Sequence, residues 1–303
     1  MAPQNGGGGI DKDAKHALDR IGAEVQKIAH DAAVDYISEL KGNLRNVRFK
    51  DGEIDTHDIC NLDHTKHTNV SWGVIHPCDN RLANLFTEES ASQCSTSRIS
   101  GNDTNSGSCA PYRKLQLCDY NLEKITDTNV TNTHNLLVDV LLAAKHEGDS
   151  LSKYRNEHPD IIPSSNICTV LARSFADIGD IIRGKDLYVG NRKEREKEEL
   201  QKNLKTIFQK IYGELKNPEA REHYQNDAPY FYQLREDWWN ADRQQVWKAI
   251  TCEATDTAQY FRNTCSNDKA GTSGKCQCID QTVPTNLDYV PQHLRWFEEW
   301  AED

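Results

Sequence analysis

The sequence lacks any apolar run approaching the roughly 20 residues that a membrane-spanning helix requires. Residues 1–30 also lack the charged start, apolar middle and small-residue cleavage site of a secretory signal. Positive net charge is missing too: 36 Lys and Arg against 47 Asp and Glu give −11, which disfavours a bulk polyanion such as duplex DNA unless basic residues are concentrated locally. Methionine occurs once, so the core must draw on aliphatic residues and on 6 Trp and 11 Tyr. No G-x-S-x-G, H-E-x-x-H or phosphate-loop sequence is present. The tract Gly6–Gly9 has neither the strand nor the lysine of a phosphate loop, and Met1–Gly9 reads as a flexible leader. Glu298 and Glu302 share a helix face, which predicts solvated surface rather than the acid and base of a glycosidase.

Ten cysteines are present, mostly in polar surroundings. That number favours disulfides and an oxidising, extracellular compartment. With no signal peptide in view, either a leader has been removed or export takes an unusual route. Five cysteines precede Asp119 and five follow it. Either one bridge joins the halves or each half keeps a cysteine unpaired. Cys168 with Cys252 is the preferred pair, because both fall on predicted core helices that a bridge would staple. Cys276 and Cys278, one residue apart, should each bond elsewhere.

Hydrophobic spacing predicts helices and little else. Ala14, Leu18, Ile21, Val25, Ile28 and Ala32 recur at alternating intervals, extended by Tyr36 and Leu40, and predict one long helix over 11–41 that stops at Gly42 and packs through Leu18, Ile21, Val25 and Ile28. Residues 43–119 are rich in Gly, Ser, Asn, Thr and Asp and read as loops dependent on cross-links. Helices are predicted over 133–146, ending at Gly148, then over 166–183, 192–216, 232–252 and 292–300. The third of these should bury Leu200, Leu204, Ile207, Phe208, Ile211 and Leu215. Trp238, Trp239, Trp247, Trp296 and Trp300, at helical spacing, read as core rather than as stacking platforms.

Two constellations could carry chemistry. His57, Cys60, His64 and His67 are good zinc ligands at short spacings. Structural zinc sites usually close from two separated pairs, so these read instead as surface histidines beside a disulfide cysteine, and no metal or other cofactor is expected. Basic residues form two groups: Arg45, Arg48 and Lys50 after the first helix, and Arg192, Lys193, Arg195 and Lys197 interleaved with Glu194, Glu196, Glu198 and Glu199. Both are candidates for a sulfated glycan, held by paired guanidinium and ammonium donors. The first group is the better, because Asp51 is the first acidic residue after Glu39. Acidic residues elsewhere are screened over about 8 Å at physiological salt. Asn69, Asn102 and Asn129 head glycosylation sequons.

Four stretches together carry a family resemblance: Cys109–Leu122, Ala172–Gly184, Asp237–Cys252 and Pro291–Asp303. In that order they resemble the N-terminal segment and first, alpha-class Duffy-binding-like domain of the malaria-parasite erythrocyte membrane protein family. The resemblance runs from the first helix to the last residue, is weak over 43–108, and departs at His293, where the family commonly has Tyr or Phe. It implies a mainly α-helical Duffy-binding-like fold. A long amphipathic helix in an N-terminal segment (1–42) would precede a loop-rich, disulfide-linked subdomain (43–160) and a helical-bundle subdomain (161–303), with the family's third subdomain absent. It further implies no enzymatic activity, unused sequons, and export by an internal signal, as part of a larger membrane-anchored polypeptide, to the outer face of the infected red cell. Expected partners are host red-cell or endothelial glycans and receptors, in rosetting or sequestration, and host antibodies, but not nucleic acid. An antigenically variable head domain, with the receptor site in neighbouring domains, is the alternative. The motifs build scaffold, so no ligand residue is carried over from them.

Overall fold

A computed structural model of the chain describes residues 12–49, 52–53, 55–70, 75–79, 94, 98–101, 107–162, 166–189 and 196–302. The fold is mainly α-helical. Helices α1 (Ala14–Ala33) and α2 (Ile37–Leu40) lead in, followed by a strand pair, β1 (Arg48–Phe49) and β2 (Gly52–Glu53), antiparallel with Arg48 opposite Glu53. Then come α3 (Tyr112–Leu115), α4 (Tyr120–Glu123), α5 (Thr133–Glu157), α6 (Ile167–Arg183), α7 (Glu196–Glu214), α8 (Pro218–Tyr224), α9 (Tyr232–Ile250), the single turn α10 (Cys265–Asp268) and α11 (Gln292–Glu302).

Helices α5, α6 and α9 pack on one another at the centre. The Asn132 side chain caps α5 by accepting from Asn135 N–H at 3.0 Å. Gly148, expected to end this helix, lies inside it, and α5 runs on to Glu157. A Cβ at Gly148 would sit 1.9 Å from the Ile250 carbonyl oxygen, so the glycine serves a close helix–helix approach rather than a stop. Every residue of α6 is buried, its Arg and Asp side chains included. The core reading of Trp238, Trp239, Trp247 and Trp296 holds, since all four are buried. The indole N–H groups of the first three donate to Thr133 Oγ1 (2.7 Å), Asp288 Oδ2 (2.8 Å) and the Cys276 carbonyl (3.0 Å). The six predicted residues Leu200 to Leu215 are buried as expected, five of them on α7 and Leu215 just past its end.

The first helix differs from expectation. It breaks at Ala33, and the predicted stripe is not its buried face: Ile21, Val25 and Ile28 are 44%, 43% and 71% exposed, while Leu18 is only partly buried against the core. The buried face is instead Asp19, Gly22 and Ala33. Asp19 accepts from Arg262 Nε (2.7 Å), Asn286 N–H (2.7 Å) and the Tyr260 hydroxyl (3.1 Å). At Gly22 a Cβ would meet the Asn286 carbonyl oxygen at 2.2 Å. A polar anchor and a small residue thus decide which face docks.

Five disulfides use all ten cysteines: Cys60–Cys252, Cys78–Cys118, Cys94–Cys109, Cys168–Cys276 and Cys265–Cys278. One bridge therefore joins the two halves, and Cys276 and Cys278 bond elsewhere as expected. The preferred Cys168–Cys252 pair is wrong. Cys252 lies just past the end of α9, which abuts the 3-10 turn Ile59–Asn61 that carries Cys60. Trp247, on the preceding turn, holds the Cys276 carbonyl and so sets that loop beside α6.

Candidate functional site

Of the seven basic candidates, Lys50, Arg192, Lys193 and Arg195 lie outside the described residues. Arg45 and Arg48 are both exposed. They follow one another on a 3-10 turn, Leu44–Asn46, capped by Asn43, whose side chain accepts from Arg45 N–H at 2.9 Å, and on β1. Arg48 Nη1 donates to the Val47 and Arg45 carbonyls at 2.8 and 3.2 Å. The amides of Asn69 and Asn135 donate to the Arg48 carbonyl at 3.1 and 3.0 Å. The ridge that carries both guanidinium groups is therefore anchored to α5 and to the loop at Asn69, while the residues themselves face solvent.

Lys197 does not belong with them. Its ammonium pairs with Asp119 and, at 3.1 Å, with Glu123. Despite burial, those two carboxylates push its pKa above the ordinary lysine value. Lys197 clamps α7 onto α4, and its charge is already neutralised, so it is removed from the glycan candidates.

Most of the charged residues within the four sequence motifs are internal, Lys248 and Glu302 being exposed. Arg113 donates to both oxygens of Glu299, to Asp177 and to Ser174 at 2.8–3.0 Å. Ser174 in turn donates to Glu147 at 2.7 Å, and Glu147 accepts the Cys118 N–H. Arg295 pairs with Asp177 and Asp180, and Arg183 with Asp180 and Glu236. Burial works to raise Asp177, but the guanidinium groups of Arg113 and Arg295 overcome it and hold this carboxyl below the ordinary range. Glu298 and Glu302 are not the expected solvated pair: Glu298 is buried, and both pair with Arg173, at 2.8 and 2.6 Å. Periodicity missed this network because its partners lie far apart in sequence. Its carboxylates are committed to guanidinium groups, except Glu147, which accepts from Ser174 and Cys118, and such a closed network suits a scaffold.

The sequence run His57, Cys60, His64 and His67 is dispersed. Cys60 is in its disulfide, His57 is exposed, and His67 is buried with Nε2 against Asp55 at 2.6 Å and Nδ1 accepting from Asp63 N–H at 2.9 Å. Only His64 meets other imidazoles, those of His76 and His146. No helix among the described residues is long and apolar enough to cross a membrane.

Residues 107–295 match the Duffy binding domain and residues 13–48 the N-terminal segments of PfEMP1. Among solved structures, the NTS-DBL1-alpha and CIDR-gamma double domain of PfEMP1 from the Plasmodium falciparum varO strain is 39% identical with a TM-score of 0.82, over 96% of this chain and 43% of that one. A PfEMP1 DBLbeta domain bound to ICAM-1 is 30% identical with a TM-score of 0.70, over 93% of this chain and 65% of its own. The Duffy receptor gamma form of Plasmodium knowlesi is 25% identical over 205 residues, 64% of this chain and 15% of the receptor. This chain thus spans less than two thirds of each. Motif order, helical architecture and these matches agree: the chain belongs to the Duffy binding domain family, as a PfEMP1 N-terminal segment joined to a first, alpha-class Duffy-binding-like domain.

Proposed function

We propose that this chain is a host-cell adhesion module of a variant surface antigen displayed on infected red cells, and that it takes a heparan-type sulfated glycan on Arg45, Arg48 and Lys50. The observation that carries the reading is the placement of Arg45 and Arg48, two exposed cations in succession on a backbone ridge held by Asn69 and Asn135. A ridge fixed in advance loses little further freedom when a polyanion settles on it. The DBLbeta relative bound to ICAM-1 supports receptor binding as the broader role.

Retention on immobilised heparin, measured against salt, tests this. Electrostatic binding falls steeply as salt rises. Reversal of Arg45, Arg48 and Lys50 to Glu should weaken it about tenfold or more with the thermal melt unchanged. Retention that survives the triple reversal, or that ignores salt, overturns the assignment. A second reading, an antigenically variable head domain whose receptor site lies in neighbouring domains, draws on the 43% of the double-domain structure that this chain spans. It expects red-cell binding by a longer polypeptide and none by this chain.

A further inference from the structure

Three histidines far apart in sequence meet at one place. His64 follows the 3-10 turn Ile59–Asn61, His76 stands two residues before the Cys78–Cys118 bridge, and His146 lies on α5. One ring nitrogen of each lies within 4.8 Å of the other two, and the ring centroids are 4.4 to 4.9 Å apart. Tetrahedral zinc, with Zn–N near 2.0–2.1 Å, sets its ligand nitrogens about 3.4 Å apart. Closing to that spacing takes a movement of about 1 Å, within reach of rotation about the side-chain bonds of two loop residues.

We propose that His64, His76 and His146 form a zinc-binding site, with water or the nearby Asp79 carboxylate completing the coordination. The chemistry of the donors fits: three imidazoles suit zinc among divalent metals and leave one position open. His146 Nε2 is buried and makes no hydrogen bond, and neither does the buried Asp149 Oδ1 one turn along the same helix. Buried polar atoms normally have partners, so an unpartnered imidazole nitrogen beside two further imidazoles points to a ligand.

Two features oppose the metal, and both are small. The Lys145 ammonium is close, but it is paired with Asp149 at 2.7 Å. Cys78 N–H donates to His76 Nδ1 at 3.1 Å, a single hydrogen bond for the metal to displace. Asp63 Oδ1 lies 3.9 Å from His64 Nδ1, and Asp79 Oδ2 accepts from His76 N–H at 3.2 Å, so two carboxylates flank the three imidazoles. Because the three ligands come from two loops and a core helix, zinc would tie the loop residues around His64 and His76 to α5 beside the Cys78–Cys118 bridge.

The test is calorimetric titration of zinc chloride into the oxidised, chelator-treated chain, with a thermal melt before and after. The site predicts one equivalent bound and a higher melting temperature. His146→Ala should lower the affinity by about 100-fold or more, beyond the 10–100-fold typical of an outer-shell loss. His64→Ala, on a loop away from the packed helix, should do the same while the circular dichroism stays native. His57→Ala, outside the site, should change nothing. No zinc uptake by the unmutated chain overturns the proposal. So does uptake that survives both His146→Ala and His64→Ala, or that is lost with His57→Ala.

Discussion

Asp242 is fully buried, and its hydrogen-bond donors are neutral: Gly42 N–H at 3.0 Å and Gln245 Nε2 at 2.8 Å. Burial outweighs these bonds and raises its pKa to about 7. Unfolded, it titrates near 3.9. Between these values the folded state holds the extra proton. The stabilising contribution is therefore full below about pH 4 and lost as pH rises through about 7. Asp242→Asn keeps the acceptor and removes the charge. At pH 7.5 it should match or exceed the parent in urea unfolding, by on the order of 1 kcal/mol, and the difference should shrink by pH 5. Asp177 acts in the opposite sense, since its depressed pKa gives stability that is present above the ordinary carboxylate range and lost only as pH falls through the folded value. Glycines separate as cleanly. Gly148→Ala drives a Cβ into the Ile250 backbone and should cost about 3 kcal/mol in the same assay. Gly213→Ala, in α7 with open space around it, should be neutral or gain about 0.5–1 kcal/mol.

At the scale of the helix, periodicity locates elements well and chooses faces poorly. The helices over α6, α7 and α9 are legible because each carries an apolar row that is buried, whereas α11 buries Trp296 among Gln292, Arg295, Glu298 and Glu299 and leaves Leu294 and Phe297 exposed. For α1 the same row misleads: the docking face is set by Arg262, Tyr260 and Asn286, more than 240 residues away, which take Asp19. No local pattern in residues 11–41 could reveal a partner at that distance. Lys197 is the same case, since its partners Asp119 and Glu123 lie just before and on α4. The docking can be tested by contrast. Asp19→Ala takes the acceptor from Asn286 N–H and leaves Arg262 with Asp268 alone, and should cost about 2–3 kcal/mol, as expected when buried donors lose their partner. Ile28→Ser, 71% exposed, should stay within about 0.5 kcal/mol. Thermal melts with the opposite ranking would mean that the apolar row is the docking face after all.

Across the whole molecule, one buried apolar cluster runs from Leu40 to Val290, so residues from the N-terminal segment and from the helical bundle share a core. The basic group Arg45, Arg48 and Lys50 is legible in the sequence as charge, and Arg45 and Arg48 are exposed. The histidine cluster was not legible, because its members lie on two loops and a helix and only the fold brings them together. The segment's hold on the core is uneven along its length. Leu40 and Val47 are fully buried and Leu44 nearly so, Gly42 N–H is held by Asp242, and Leu137 lies where a Cβ on Gly42 would be. Upstream, α1 is attached mainly through Asp19 and its neighbours. Burying a side chain of this size contributes about 1.5–3 kcal/mol, so Leu40, Leu44 and Val47 together account for several kcal/mol, a large part of what a domain has. Removing residues 1–36 should therefore lower the melting temperature while leaving one cooperative transition. Removing residues 1–47 should expose Leu137 and the Asp242 pocket and abolish that transition, with strong binding of a hydrophobic dye. Equal effects of the two deletions would mean that α1, and not the stretch from Leu40 to Val47, anchors the segment.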